Sequence, residues 1–266
     1  MKEQAKIGII GGSGFYKFLD GKEVSVSTPY GKPSGKILIS EYEGRKIAFL
    51  PRHGKEHQYP PHKINYRANL YALKKLGVLQ ILAPCAVGSL KSKIKPGNFV
   101  ICDQFINNTK DRKDTFFDGP KGKVAHIAMA EPYCPELRKL AIKACQKLRI
   151  PHQKKGAVII IEGPRFSTKA ESLFWSKTAD VINMTQYPEA VLARELEMCY
   201  ANISLVTDYD AGLQGRKDIK AVTLQEVIKI FNKNNEKVKK LILEIIKNMP
   251  EEFSCQCGQA LKQAII

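Results

Sequence analysis

The chain has no apolar run of about 18 residues, so no membrane-spanning helix is expected. Acidic residues are scarce: 26 Asp and Glu stand against 43 Lys and Arg, a net charge of +17. Aromatic residues make up only 8% of the chain, and none interleave with its basic clusters. The densest of those clusters, Lys233 to Lys240, falls on one expected helix. A nucleic-acid grip joins phosphate-neutralising cations to a recognition motif. No such motif is present, which leaves a lysine-rich surface that draws in small anions. The opening residues, MKEQAKIGIIGGSGFY, lack the apolar core and cleavage site of a signal peptide, so a cytoplasmic location is expected. Of the seven cysteines, Cys85, Cys102, Cys134, Cys145 and Cys199 read as buried small hydrophobes in a reducing compartment. Cys255 and Cys257 read as free thiols or a disulfide. A zinc site normally offers a second ligand pair at suitable spacing. None is visible, so no metal is expected.

What is present is an alternation of strand and helix patterns, the mark of an α/β fold. Strands are expected at Ile7–Ile10, Lys36–Tyr42, Lys46–Leu50, Leu79–Ala83, Asn98–Asp103, Ala157–Ile161 and Ile203–Thr207. Helices are expected at Ile64–Lys75, from Pro135 to about Leu148, and from Pro188 to near Tyr200. The last begins at Thr223, whose hydroxyl and Glu226 three residues on form a capping-box pattern. Val227, Ile228, Phe231, Val238, Leu241, Ile242 and Ile245 give that helix an apolar stripe. No linker or repeat divides the chain, so one domain over 1–266 is expected, with a C-terminal tail of about 250–266 extending from it.

Several strand ends carry residues suited to chemistry. Gly11-Gly12-Ser13-Gly14 reads equally as a plain turn or as a backbone cradle for phosphate. It is neither a Walker loop nor a complete G-x-G-x-x-G. Arg52-His53 at a strand end suits an oxyanion: a planar fork of donors with one more beside it. Phe166, in the loop after Ala157–Ile161, reads as a core aromatic or as a stacking partner for a base. Asn183-Met184-Thr185 reads first as packing, with Thr185 able to meet an anion. The sharpest signal is Asp208-Tyr209-Asp210. Alternation along the strand before it puts the two carboxylates on one side, where they either form a polar turn in water or address a heterocycle's nitrogens.

Taken together, GGSGF at 11–15, RHG at 52–54, NYRANL at 65–70, DQFINNT at 103–109, AEPYCPELR at 130–138, EGPRFST at 162–168, NMT at 183–185, PEAVLARE at 188–195 and TDYD at 207–210 resemble one family over nearly the whole chain. The sequence is similar to the trimeric class of purine nucleoside phosphorylases, and within it to the 5′-methylthioadenosine phosphorylases. The resemblance implies a mixed central sheet curling into a partial barrel, flanked by helices. It implies phosphorolysis of an N-glycosidic bond with inorganic phosphate as co-substrate, no cofactor and no metal, and a homotrimer or homohexamer. Ser13, Arg52, His53, Cys85, Ala86 and Thr185 would bind phosphate. Met184 would lie under the ribose, Phe166 on the purine, and Tyr209 beside it. Asp208 and Asp210 would serve as the catalytic pair, set for adenine, since the enzymes for 6-oxopurines carry Asn at the position of Asp208. His126 would reach a neighbouring subunit's 5′ pocket, while Ser167 and Leu224 bear on substrate choice. The chain departs from the family pattern at Cys85, where a hydroxyl residue is usual, at Gln186-Tyr187, and at Ala211-Gly212-Leu213. The alternatives are a broad-specificity purine nucleoside or methylthioinosine phosphorylase and, from another class, a basic nucleic-acid-binding protein.

Overall fold

The computed structural model describes residues 5–12, 20–118, 122–215, 219 and 223–266. Eleven strands of these residues join one mixed sheet. Its first strand, β1 (Ile7–Gly11), lies parallel to β4 (Arg45–Pro51). β2 (Gly21–Val24) and β3 (Ile37–Tyr42) continue the sheet beyond β4 as antiparallel neighbours. The β3–β4 hairpin turns at Glu43 and Gly44, both at positive φ (48° and 75°). That is the backbone a two-residue hairpin loop needs to match strand twist.

The sheet is organised around β5 (Gln80–Ser89). The first residues of β5 pair with β1, its last two with β10 (Val181–Asn183), and its whole length with β11 (Cys199–Tyr209). Beyond β10 lie β9 (Ala157–Ile161) and β7 (Gln104–Asn108), both parallel to it in turn. β6 (Phe99–Val100) and β8 (His152–Gln153) hang from the other side of β11. The sheet thus branches at β5 and curls without closing.

Helices cover both faces. Alternate residues of β1 divide the core: Ile10 packs with α1 (Tyr66–Lys75) and α4 (Gln186–Glu195), while Ile7 and Ile9 pack with α2 (Pro135–Lys147) and α5 (Leu224–Lys247). α3 (Lys169–Trp175) follows β9 and is opened by a complete capping box between Thr168 and Glu171. Thr223 caps α5 as its sequence pattern requires, its hydroxyl accepting from the Glu226 amide at 3.2 Å. Among the described residues no helix is long and apolar enough to cross a membrane.

Five sequence expectations are corrected. The strand expected at Leu79–Ala83 runs on through Pro84 to Ser89, whereas the one at Asn98–Asp103 shrinks to two residues. The helix expected to reach Tyr200 ends at Glu195, and Glu197, at φ 53°, turns the chain into β11. The apolar stripe of α5 is buried only from Val238 onward; Ile228 is 49% exposed. The tail does not extend away. It folds back through a 3-10 turn at Gln256–Gln259, and an isolated bridge joins Ala125 to Ile265.

Candidate active site

Strand β5 meets the residues singled out by the sequence one after another. The Pro84 carbonyl accepts from Arg52 Nη1 at 3.0 Å. Two residues on, the Ala86 carbonyl accepts from Asn183 Nδ2 at 2.9 Å. Gly88 pairs with Asp208, and the Ser89 carbonyl accepts from the Asp210 amide at 3.0 Å. At about 3.3 Å per residue the stretch from Pro84 to Gly88 spans roughly 13 Å. That is enough to hold an anion at one end and a heterocycle at the other.

At the anion end Arg52 is buried and heavily committed. Its Nε and Nη2 donate to the two carboxylate oxygens of Glu189 at 2.6 and 3.0 Å, and Nη2 also donates to the Ile10 carbonyl at 3.1 Å. With the bond to Pro84, described residues take four of the guanidinium's five donor hydrogens. Arg52 therefore offers a ligand at most one hydrogen, on Nη1, rather than an open fork. His53 also differs from the donor read in the sequence. Its Nδ1 lies 2.9 Å from the Tyr59 carbonyl and its ring stacks on His57 at 4.3 Å. Burial, and then the charge of Arg52, push its pKa down to about 3. A neutral ring bonded to a carbonyl through Nδ1 carries its hydrogen there. Nε2 is then an acceptor, suited to a protonated phosphate oxygen.

Thr185 is buried, and its turn is organised by Asn183. The Asn183 Oδ1 accepts from the amides of Thr185 and Gln186 at 2.7 and 2.9 Å and from the Thr185 hydroxyl at 3.3 Å. The Cys85 thiol faces inward: it donates to Asn202 Oδ1 at 3.3 Å and accepts from Gln186 Nε2 at 3.6 Å. Burial raises its pKa. Its one hydrogen is spent within the fold, so the expected phosphate contact narrows to half-buried Ala86. Ser13 lies outside the described residues.

At the other end the two aspartates share one side, as alternation requires, but with help from a bulge. The register of β11 against β5 slips between Val206 and Asp208, so Thr207 is the extra residue. Such a bulge re-aims the side chains after it. A methyl placed on Gly88 would sit 2.9 Å from Asp208 Oδ1 and 3.5 Å from Asp210 Cβ. The Asp208 carboxylate and the Asp210 side chain thus flank a position that must lack a side chain. Asp210 is buried and receives the Ser167 hydroxyl, 2.6 and 2.7 Å from its two oxygens. Burial pushes the Asp208 pKa up to about 7; a hydrogen bond from Thr207 at 2.8 Å opposes this, and the charge of Asp210 adds to it. A carboxyl that titrates near neutrality is an acid poised to give up a proton.

The flanks are held by a residue the sequence did not single out. Arg112 donates through Nη1 to the carbonyls of Met184 and Tyr187 at 2.9 and 2.6 Å, and through Nη2 to that of Glu162 at 2.9 Å. It thereby fixes the loops after β9 and β10, which carry Phe166 and Met184. Phe166 is 36% exposed, open for stacking. Tyr209 points aside, its hydroxyl donating to the Ser92 carbonyl at 3.2 Å. His126 and Leu224 are exposed, on the surface rather than in the cleft beside the aspartates. Glu189 was also missed: a glutamate early in a helix was its only local signal, and Arg52 lies 137 residues away. Asn183 stood in the Asn-Met-Thr segment, but its part in ordering the Thr185 turn and in bonding Ala86 was not read.

Comparison with known proteins gives the family. Residues 6–247 match the model of the phosphorylase superfamily. The chain is 54% identical to the S-methyl-5′-thioadenosine phosphorylase of Thermofilum pendens, over 99% of this chain and 100% of that one. Among solved structures it resembles a methylthioadenosine phosphorylase from an antarctic soil metagenomic library, with TM-score 0.92 and 41% identity, covering 100% of this chain and 93% of the other. It also resembles the methylthioadenosine phosphorylase of Schistosoma mansoni in complex with adenine, with TM-score 0.90 and 36% identity over 97% and 96% of the two chains. A branched sheet with its polar residues gathered along one central strand, matched from end to end by these relatives, places the chain in the phosphorylase superfamily.

Proposed function

We propose that the chain cleaves the N-glycosidic bond of 5′-methylthioadenosine by phosphorolysis, giving adenine and 5-methylthioribose 1-phosphate. The observation that carries this reading is the pair at Gly88: Asp208 raised to about 7 by burial, with Asp210 beside it and bonded to Ser167. A phosphate oxygen attacks C1′ while the C1′–N9 bond breaks and its electron pair leaves with the purine. Asp208 gives N7 the proton that makes the base a better leaving group. Asp210, held by Ser167, accepts from the 6-amino group, which only donates. Thr185, the Ala86 segment and the remaining Arg52 hydrogen position phosphate, largely an orientation effect. His53 receives a phosphate O–H. Ser13 belongs to this set by resemblance. Inorganic phosphate is a co-substrate, and no cofactor or redox group enters these steps.

The departures at Gln186 and Tyr187 do not favour another base. Gln186 is buried among Tyr133, Ser204 and Cys85, and Tyr187 turns its hydroxyl to Asp114. Both point away from the carboxylates. We place the chain in a homotrimer or a pair of trimers. Exposed Val124, Leu224 and Ile228 suit burial against further copies, and His126, beside Val124, would then enter a neighbour's site.

A base-release assay with matched concentrations of 5′-methylthioadenosine, adenosine, inosine and methylthioinosine tests the reading. Adenine leaves 5′-methylthioadenosine fastest, and only with phosphate present. Adenosine follows within about a hundredfold, since a pocket that accepts a methylthio group rejects a hydroxyl only modestly. Faster release from either inosine substrate sinks the base assignment. Gly88→Ala supplies a second test. Its methyl would also lie 2.9 Å from Ile182 Cγ2, so Asp208 must shift. Displacing a reacting group by a fraction of an ångström to an ångström lowers kcat by about tenfold to a hundredfold. Unchanged kcat in a folded G88A variant would mean that the Asp208 position is not needed.

A further inference from the structure

Four cysteines meet at one point away from the cleft. Cys134 precedes α2, Cys199 opens β11, and Cys255 and Cys257 lie in the tail. Their four Sγ atoms all lie within 4.8 Å of one another, and only Cys255 keeps partial exposure. Cys134 and Cys199 stand 3.7 and 3.3 Å from Cys255, sulfur to sulfur. Four thiolates on a tetrahedral zinc, each about 2.3 Å from the metal, stand about 3.8 Å apart. A disulfide brings two sulfurs to about 2.05 Å. The spacing here is that of a metal-sized cage.

The backbone holds the corners independently of any ion. The Cys134 amide donates to the Tyr200 carbonyl at 2.9 Å, and the Cys199 amide to the Leu79 carbonyl at 2.8 Å. The start of α2 and the start of β11 are thus fixed side by side. In the tail, the Ser254 amide donates to the Glu136 carboxylate at 3.1 Å. The 3-10 turn that follows Cys255 brings Cys257 back under it. A Cys-x-Cys spacing, shorter than the usual two-to-four-residue gap, therefore still presents both sulfurs inward. Arg194 Nη1 donates to Cys257 Sγ at 3.8 Å. A cation donating to a ligating sulfur is the outer-shell support that thiolate metal sites use, and it offsets the double negative charge of zinc with four thiolates.

We infer that Cys134, Cys199, Cys255 and Cys257 bind one zinc ion, which staples the tail to the domain. Binding converts four thiols to thiolates and releases their protons to solvent. The tail beyond the cage then lies along residues 124–126: the His126 amide donates to the Ala264 carbonyl at 2.8 Å, and the Ile266 amide to the Val124 carbonyl at 2.9 Å. The staple therefore sets the segment that carries His126. The second ligand pair missing from the sequence is present in the fold, and the ground for expecting no metal falls with it.

The test is metal analysis of the full chain, purified anaerobically without chelator or reductant. About one zinc per chain is expected. Cys145→Ser, outside the cage, keeps it, while a Cys255→Ser/Cys257→Ser variant loses it. Cobalt(II) added to stripped protein should give the visible bands of a tetrahedral tetrathiolate. Stripping should also speed proteolysis within 250–266 by about tenfold as the tail opens. A metal-free wild-type chain overturns the proposal, whether its mass is lowered by paired cysteines or all seven thiols titrate. Zinc retained by the double variant overturns the ligand assignment, and unchanged proteolysis on stripping overturns the staple.

Discussion

Replacing Asp208 by asparagine lowers kcat for 5′-methylthioadenosine by about 10²- to 10⁴-fold, the range for a lost general acid. Asparagine keeps the shape and can still donate a hydrogen bond toward N7, but it cannot transfer the proton. The pH profile identifies the cause. Asp208 titrates at about 7 because burial raises it, so the wild-type enzyme is competent below that pH and loses kcat as pH rises through it. Phosphate itself titrates in this region, so the informative comparison is between the two proteins. D208N keeps the phosphate-dependent limb and loses the limb that falls above pH 7. The variant gains in stability where it loses in activity. A carboxyl raised in the folded state favours folding below its unfolded value near 4 and loses that contribution as pH climbs to about 7. Thermal unfolding should therefore show D208N gaining on wild type between pH 4 and 7 and holding the gain above. A variant with wild-type kcat, or one whose profile still falls with the wild type, removes Asp208 from the acid role.

Glu189→Ala is expected to destabilise the fold by about 3–5 kcal/mol, the usual effect of leaving a buried charge without its partner. Glu189 is fully buried and accepts both Arg52 bonds and the Tyr200 hydroxyl at 2.8 Å. Its loss leaves a guanidinium with no counter-charge beneath the anion end of the site. Urea midpoints measure the effect. Adding Arg52→Met should restore much of the lost stability, because the stranded charge goes with it. Activity should not return, since the scaffold at the anion end is gone. A single variant as stable as wild type would show that the pair contributes little to folding. A double variant no more stable than E189A would place the loss in the Tyr200 bond and in packing.

What could be read from the sequence divides by distance along the chain. Asp208 and Asp210 were legible because strand alternation and an apolar run are local patterns. The cap at Thr223 was legible for the same reason. β5 was cut short because Pro84 and Gly88 look like strand breakers. In the fold, Pro84 supplies only a carbonyl to Arg52, and Gly88 makes room for Asp208. The end of α4 was misplaced because Glu197, rather than a glycine, adopts positive φ. Arg52 was read as an open fork since nothing near it announced Glu189, 137 residues away. The cysteine cage had the same defect, with Cys134 lying 121 residues from Cys255. Residue types marked the places where chemistry gathers. The pairings that decide which donors remain for a ligand are long-range, and only folding states them.

One strand that serves three partners also governs how the molecule comes apart. The stretch of β5 from Pro84 to Ser89 is paired along its length with β11, and its last residues pair with β10 as well. Fraying at an edge cannot free it; the amides there are the last to exchange with solvent water, because opening them means dismantling the centre of the sheet. The anion and base ends are fastened to the slowest-opening element of the chain, whereas Phe166 and Leu224 ride on exposed loop and helix ends. Adaptation to a new nucleoside can therefore proceed at the rim, residue by residue, while the reaction itself stays locked to the global stability of the fold.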